Sequence, residues 1–172
     1  MSSRESSFCF REMSGSDVGA DPRLLESVLE LDRANMVAIM EASGFVDFPW
    51  EKRIAGLTGS GTRFFGAFSD GRLCGYLEIL PDHRDPDGLY VSSLQIVPEL
   101  RGSRIFITLL RTAHSWVGTQ SPANLRTEIQ SENRRMIAIL GRLGFQIEDG
   151  KRSHTKIARI ATTRLRSHRI FR

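Results

Sequence analysis

Leu94-Gln95-Ile96-Val97-Pro98-Glu99-Leu100-Arg101-Gly102-Ser103 joins a strand-like run to a long amphipathic segment, and this junction decides how the chain is read. The residues after it, Arg101–Val117, carry apolar side chains at Ile105, Leu109, Leu110, Ala113, Trp116 and Val117, the spacing of one helix face. A helix start offers backbone N–H groups without intrahelical acceptors, and the helix dipole puts its positive end there. A strand feeding such a start is suited to an anion such as a pyrophosphate. Arg101 and Arg104 add positive charge of the kind that matches phosphate geometry, and Gly102 permits a close backbone approach.

Outward from this junction the chain alternates strands and helices, which predicts a single α/β (α+β) domain over residues 1–172. Upstream, Phe8–Met13 reads as a first strand and Ser14–Asp21 as a turn-rich stretch. Leu24, Leu25, Val28, Leu29 and Leu31 recur at helical spacing, with Asp21 as N-cap and Pro22 at the first helical position. A separate helix over Ala34–Ala42 should stop near Gly44, and an aromatic loop Phe45–Trp50 leads into a short helix over Trp50–Leu57. Thr62–Phe68 and Arg72–Leu80 form a hairpin around Ser69-Asp70-Gly71. A charged loop, Pro81–Gly88, precedes the strand Leu89–Val97. Downstream, Asn124–Gln130 is a strand and Glu132–Leu143 a helix, with Ser131 as N-cap and Gly144 as the stop. Phe145–Glu148 and Thr155–Ile160 complete the strands.

The bulk properties narrow the classes. Hydrophobic content of 40% and charged content of 26% suit a globular domain. No apolar run approaches the ~18 residues of a membrane span, and MSSRESSFCF lacks a secretory apolar stretch, so a cytoplasmic protein with no membrane partner is expected. Cys9 and Cys74 read as two buried, reduced thiols. Without a Cys or His pair at ligand spacing, no metal is expected. All 20 acidic residues precede residue 150, and eight of the 24 Lys and Arg follow it. The segment 151–172 is therefore strongly basic on an acidic body. It is poor in aromatic residues for base stacking, so a self-docking or solubilising end is preferred over nucleic-acid binding. G-x-G-x-x-G and G-x-x-x-x-G-K-[ST] are both absent, which argues against dinucleotide and nucleoside-triphosphate sites of those types.

Over residues 60–150 the chain resembles the GNAT superfamily of acetyl-CoA-dependent N-acetyltransferases. The approach Leu94–Gly102 is similar to the family's phosphate loop, Q/R-x-x-G-x-G/A after a strand, with Arg101 in its first position. Arg104 stands where the middle glycine is usual and Phe106 where the last Gly or Ala is usual. The second landmark is the helix that starts at Asn133, runs through Met136 and Ile137, and ends at Leu143-Gly144-Phe145. Leu140 takes its tyrosine position. The resemblance implies a mixed, mostly antiparallel sheet of six to seven strands flanked by helices. It also implies direct acetyl transfer from acetyl-CoA to a small-molecule or protein amine. The pantetheine arm would lie along Leu94, Ile96 and Val97, the phosphates against Arg101, Gly102, Ser103, Arg104, Ile105 and Phe106, and Asn133 would border the cofactor.

Deprotonating the amine calls for a carboxylate within reach. Glu78, which shares a strand face with Tyr76 and Leu80, is the better candidate because it lies near the middle of the expected sheet; Glu128, on the strand Asn124–Gln130, is the other. Leu140 cannot donate a proton, so Tyr90, Ser131 or water would serve the leaving thiolate. Asp82, Asp85 and Asp87 in the charged loop would favour a cationic acceptor. A non-catalytic acyl-CoA sensor on the same fold is the alternative function, and a homodimer is compatible with either.

Overall fold

The computed structural model describes residues 8–42 and 48–171. Its centre is a seven-stranded sheet in the order β1-β2-β3-β4-β5-β7-β6. The strands are β1 (Cys9–Ser14), β2 (Arg63–Ser69), β3 (Arg72–Pro81), β4 (Gly88–Ile96), β5 (Asn124–Gln130), β6 (Gln146–Asp149) and β7 (Thr155–Ala161). Neighbours run antiparallel except β4 and β5, which are parallel. The mixed, mostly antiparallel sheet that the family resemblance implies is therefore present.

The helices are α1 (Gly15–Ala20), α2 (Pro22–Ala42), α3 (Trp50–Leu57), α4 (Arg104–Gln120), α5 (Arg134–Arg142) and α6 (Thr162–Arg166). One face of the sheet carries Phe64 and Tyr76, which pack with Val18, Val28, Leu31 and Leu57 of the first three helices. The other carries Phe65, Leu77, Ile79, Leu125 and Ile160, which pack on Ile105, Leu109, Ala113 and Val117 of α4. Alternation along each strand separates the two sets. Fully burying one such side chain contributes about 1.5–3 kcal/mol, so both layers are driven chiefly by apolar burial.

Several boundaries differ from the sequence reading, each for a local reason. Ser14–Asp21 is not a turn: Ser14 and Asp17 form a reciprocal capping box that starts α1. Asp21 does cap α2, accepting from the Arg23 and Leu24 N–H groups at 3.0 and 3.1 Å. That helix continues unbroken for 21 residues, so the separate helix over Ala34–Ala42 does not exist. Asp32 and Asn35, which look like a polar interruption, are buried inside the fold. Gly44 and the first half of the Phe45–Trp50 loop, residues 45–47, lie outside the described residues. α4 begins at Arg104 rather than Arg101, because Ser103 caps it and Pro98–Leu100 form a 3-10 turn before it. Asn133, not Ser131, caps α5 through the Met136 N–H at 3.2 Å. Cys74 is buried, whereas Cys9 is exposed on the edge strand β1. The expected hairpin turn is present, with Asp70 and Gly71 at φ 50° and 77°.

Candidate active site

β4 and β5 pair over three residues only, Gly88–Tyr90 against Asn124–Arg126. Beyond that contact the strands part, and a cleft opens between them. Two features of β4 shape it. Glu78 opposes Ser93 and Ile79 opposes Val91, so Ser92 is an extra residue, a β-bulge that bends the strand. The Val97 N–H donates to the Cys74 carbonyl at 2.9 Å, toward β3. Alternation then turns the main-chain groups of Leu94 and Ile96 to the other edge, where β5 has departed.

The cleft holds a cavity of about 480 Å³. Its walls come from α2 (Asn35, Met36, Met40), β4 (Tyr90, Ser92, Leu94), α4 (Phe106, Leu110, Ala113), β5 (Thr127, Glu128, Gln130) and α5 (Asn133, Met136, Leu140). The turn into α4 comes just before Phe106 of the wall. Gly102 adopts φ 91°, a left-handed conformation that favours glycine, and the space beside it is open. An Arg135 guanidinium nitrogen lies 4.0 Å from where a Cβ on Gly102 would be, so α5 brings another cation to the turn.

The residues expected at the cofactor are placed unequally. Leu94, Phe106 and Asn133 line the cavity. Gly102 and Ser103 form the turn, and Arg104 is exposed on the first helical turn. Ile105 is instead a core residue, 1% exposed, and its N–H is occupied by the Ser103 hydroxyl at 3.3 Å. The Val97 N–H is likewise committed to β3, and neither Val97 nor Ile96 is on the cavity wall. The Ile96 carbonyl accepts from Asn35 Nδ2 at 3.0 Å. Arg101 donates to Asn35 Oδ1, which ties the turn to α2.

The two expected carboxylates part company. Glu78 is 1% exposed and sits behind the cavity, where Arg53 Nη1 of α3 donates to it at 2.6 Å. Arg53 also donates to Asp32 at 2.8 Å and to the Tyr76 hydroxyl at 2.9 Å. Tyr76 donates to Asp32 and meets the Ser93 hydroxyl at 3.1 Å. Burial pushes the Glu78 carboxyl above the usual range, against the pull of Arg53. Burial also works against the Arg53 charge, but Glu78, Tyr76 and Asp32 outweigh it and hold the guanidinium protonated.

Glu128, by contrast, is on the cavity wall with Tyr90. Burial, and then the Glu128 charge, raise the Tyr90 hydroxyl's pKa, so the phenol stays protonated. The Arg126 guanidinium lies over the Tyr90 ring, 4.5 Å from its centroid. Arg126 is itself 2% exposed and held by Asp82 at 2.5 and 2.7 Å. Asp85 accepts from Asn124 at 3.1 Å. Two carboxylates of the acidic loop thus serve the fold rather than an acceptor. Ser131 is half-buried next to the α5 cap and is not on the cavity wall.

Sequence reasoning missed Asp32, Asn35, Arg53 and Arg135. Asp32 and Asn35 stand four residues after Val28 and Leu31, in the apolar phase of α2. A polar residue in that phase was the available signal. Nothing local marks Arg53 or Arg135, because their partners are distant in sequence.

Comparison with known proteins agrees with this architecture. The model of the acetyltransferase (GNAT) family matches residues 25–145. Sequence comparison with curated proteins finds no match. The fold is similar to PaiA N-acetyltransferase of Thermoplasma acidophilum in complex with coenzyme A: TM-score 0.68, 20% identity, covering 90% of this chain and 99% of that one. It is similar to an acyl-CoA N-acyltransferase of Pseudomonas aeruginosa, with TM-score 0.71, 18% identity, and 90% and 100% covered. It is also similar to the ribosomal-protein-S18-alanine N-acetyltransferase of Escherichia coli, with TM-score 0.62, 15% identity, and 88% and 91% covered.

Proposed function

This chain belongs to the GNAT family of acetyltransferases, and on that premise we propose that it moves an acyl group from coenzyme A directly to a primary amine. The observation that carries the proposal is the parting of β4 and β5 after three residue pairs, which opens a cavity with Glu128 and Tyr90 on its wall. The donor set suits coenzyme A. Gly102, Arg104 and Arg135 gather N–H groups and positive charge at the turn into α4 for phosphates, and the open edge of β4 at Leu94 offers main-chain partners to an amide-bearing arm. The thioester supplies an activated acyl group.

The protein's own residues then have three tasks. Glu128 accepts the proton that the amine must lose. The unpaired main chain at the Ser92 bulge offers a donor where carbonyl charge develops. Tyr90, kept protonated, delivers a proton to the leaving thiolate. Glu78, with Arg53 and Asp32, holds the wall behind β4.

The test is an amine panel with acetyl-CoA, read by thiol release. Glu128→Gln should lower turnover by ~10²-fold or more with coenzyme A affinity unchanged, while Glu78→Gln should retain most activity. The reverse pattern would transfer the base role to Glu78. A non-catalytic acyl-CoA-binding protein is the second reading, favoured by the apolar Leu140 on the cavity wall. Coenzyme A binding without turnover of any amine would establish it.

A further inference from the structure

The cavity wall continues into the C-terminal half of α4, to Ala113, His114 and Val117. Along α4 its lining runs from Phe106 to Val117, about 16 Å at the helical rise per residue. In the proposed pose the pantetheine arm follows β4 from the turn into α4 and brings the thioester to the Ser92 bulge. The cavity continues past that point toward the closed end, where β4 and β5 pair. There its walls include Ala113, Val117, Leu125 and Leu165, all 5% exposed or less. Apolar side chains of this kind offer hydrocarbon contacts to a ligand and no hydrogen-bond partners to water.

The basic C-terminal segment closes this end. Leu165 of α6 enters the wall, and the Phe171 ring stacks on His114 at 4.2 Å and 14°. Arg111 Nε donates to the Ile170 carbonyl at 2.9 Å, and Arg166 donates to the Gly118 carbonyl at 3.1 Å, which fastens the segment along α4. The His114 ring is a polar group on the wall beside Phe171. Burial, reinforced by the Arg166 charge, lowers its pKa, so the ring is neutral and puts no charge in the chamber.

We infer that the closed end of the cleft is an acyl-chain pocket, and that the preferred donor carries an unbranched chain of medium length rather than acetyl. This rests on the acyl-CoA reading above. The chamber begins where the acetyl methyl would end, and it presents apolar side chains to whatever continues from there. Leu140, also on the wall, adds hydrocarbon where a hydroxyl would interrupt the path.

Calorimetric titration of the full chain with coenzyme A, acetyl-CoA and hexanoyl-CoA tests the inference. Each methylene buried contributes about fourfold in affinity, so the four extra methylenes of hexanoyl should give at least ~10-fold tighter binding than acetyl. Ala113→Phe fills the chamber and should bring that ratio close to one. Ala113→Leu, a smaller intrusion, should reduce it and serves if the phenylalanine variant does not fold. Equal affinity of the wild type for the two thioesters, with coenzyme A bound, would overturn the pocket and leave the acyl-CoA reading intact. So would a ratio that survives the Ala113 substitution. Failure of all three probes to bind would instead strike the acyl-CoA reading, and the pocket with it.

Discussion

Replacing Arg53 by methionine should destabilise the protein far more than replacing its partner Glu78 by glutamine. Arg53 donates to Asp32, Glu78 and Tyr76 from a site where the two carboxylates are 0% and 1% exposed. Two acids thus face one guanidinium. If both were ionised the cluster would carry a net buried negative charge, and burial answers by raising the Glu78 pKa. Glutamine resembles the protonated acid, so Glu78→Gln should cost under about 1 kcal/mol near neutral pH. Methionine in place of Arg53 removes the guanidinium from two buried carboxyl groups, a loss of ~3–5 kcal/mol. That is a large share of the ~5–15 kcal/mol typical of a domain, and about 6–20 °C in Tm at this size. The pH dependence separates the roles further. A raised folded-state pKa stabilises fully below the ordinary value of 4.5 and loses that contribution as pH rises through the folded value. Wild type should therefore lose stability relative to Glu78→Gln as pH rises above 4.5. Urea unfolding of the three proteins at pH 5, 6, 7 and 8 measures this. The reasoning fails if Arg53→Met costs less than about 1 kcal/mol, or if the cost of Glu78→Gln grows with pH.

Other perturbations probe the remaining parts. Gly102→Ala must hold a side chain at φ 91°, so it should cost about 1–2 kcal/mol and weaken coenzyme A binding, read by melting and calorimetry. Asp82→Asn leaves the buried Arg126 without its counter-ion and should cost ~3–5 kcal/mol near neutral pH. Hydrogen bonds from Arg126 lower the Asp82 pKa, so this contribution is present above the ordinary Asp value and is lost as pH falls through the folded one; acid titrations of both proteins should converge there. Leu140→Tyr should be accepted with less than about 1 kcal/mol lost, because Leu140 borders open volume; overpacking by ~1–3 kcal/mol, unrelieved by coenzyme A, would place it in solid core.

The elements that carry the architecture were legible because local signals agreed with the global fold. The α4 stripe, the Asp70-Gly71 turn and the Gly144 stop each name their own structure. Boundaries slipped where a single side chain decided them, as when Asn133 rather than Ser131 took the α5 cap. The site was less legible. A central place in the sheet favours Glu78 over Glu128, yet Glu128 is the one on the cavity wall, and Arg53, 25 residues from Glu78 in sequence, engages Glu78 behind it. Arg101 was read as a phosphate ligand from its charge and place, yet its guanidinium reaches Asn35 on α2. Such pairings arise from tertiary packing, which spacing along one chain does not encode. The basic segment reads as a solubilising or self-docking end, and the sequence does not choose between them. In the fold Thr155–Ala161 is a sheet strand, and the residues after it lie along α4.

The strand order also bears on how the chain is assembled. β7 is made after β6, yet it lies between β5 and β6 and pairs with both. Until Thr155–Ala161 emerges, β6 has no strand to join and β5 presents a bare edge, the kind of surface that recruits strands from other molecules. One wall of the cleft is therefore finished last. A chain cut before Thr155 would bring a nearly complete sequence to the solvent as a half-built sheet, and its characteristic fate would be self-association rather than weakened catalysis.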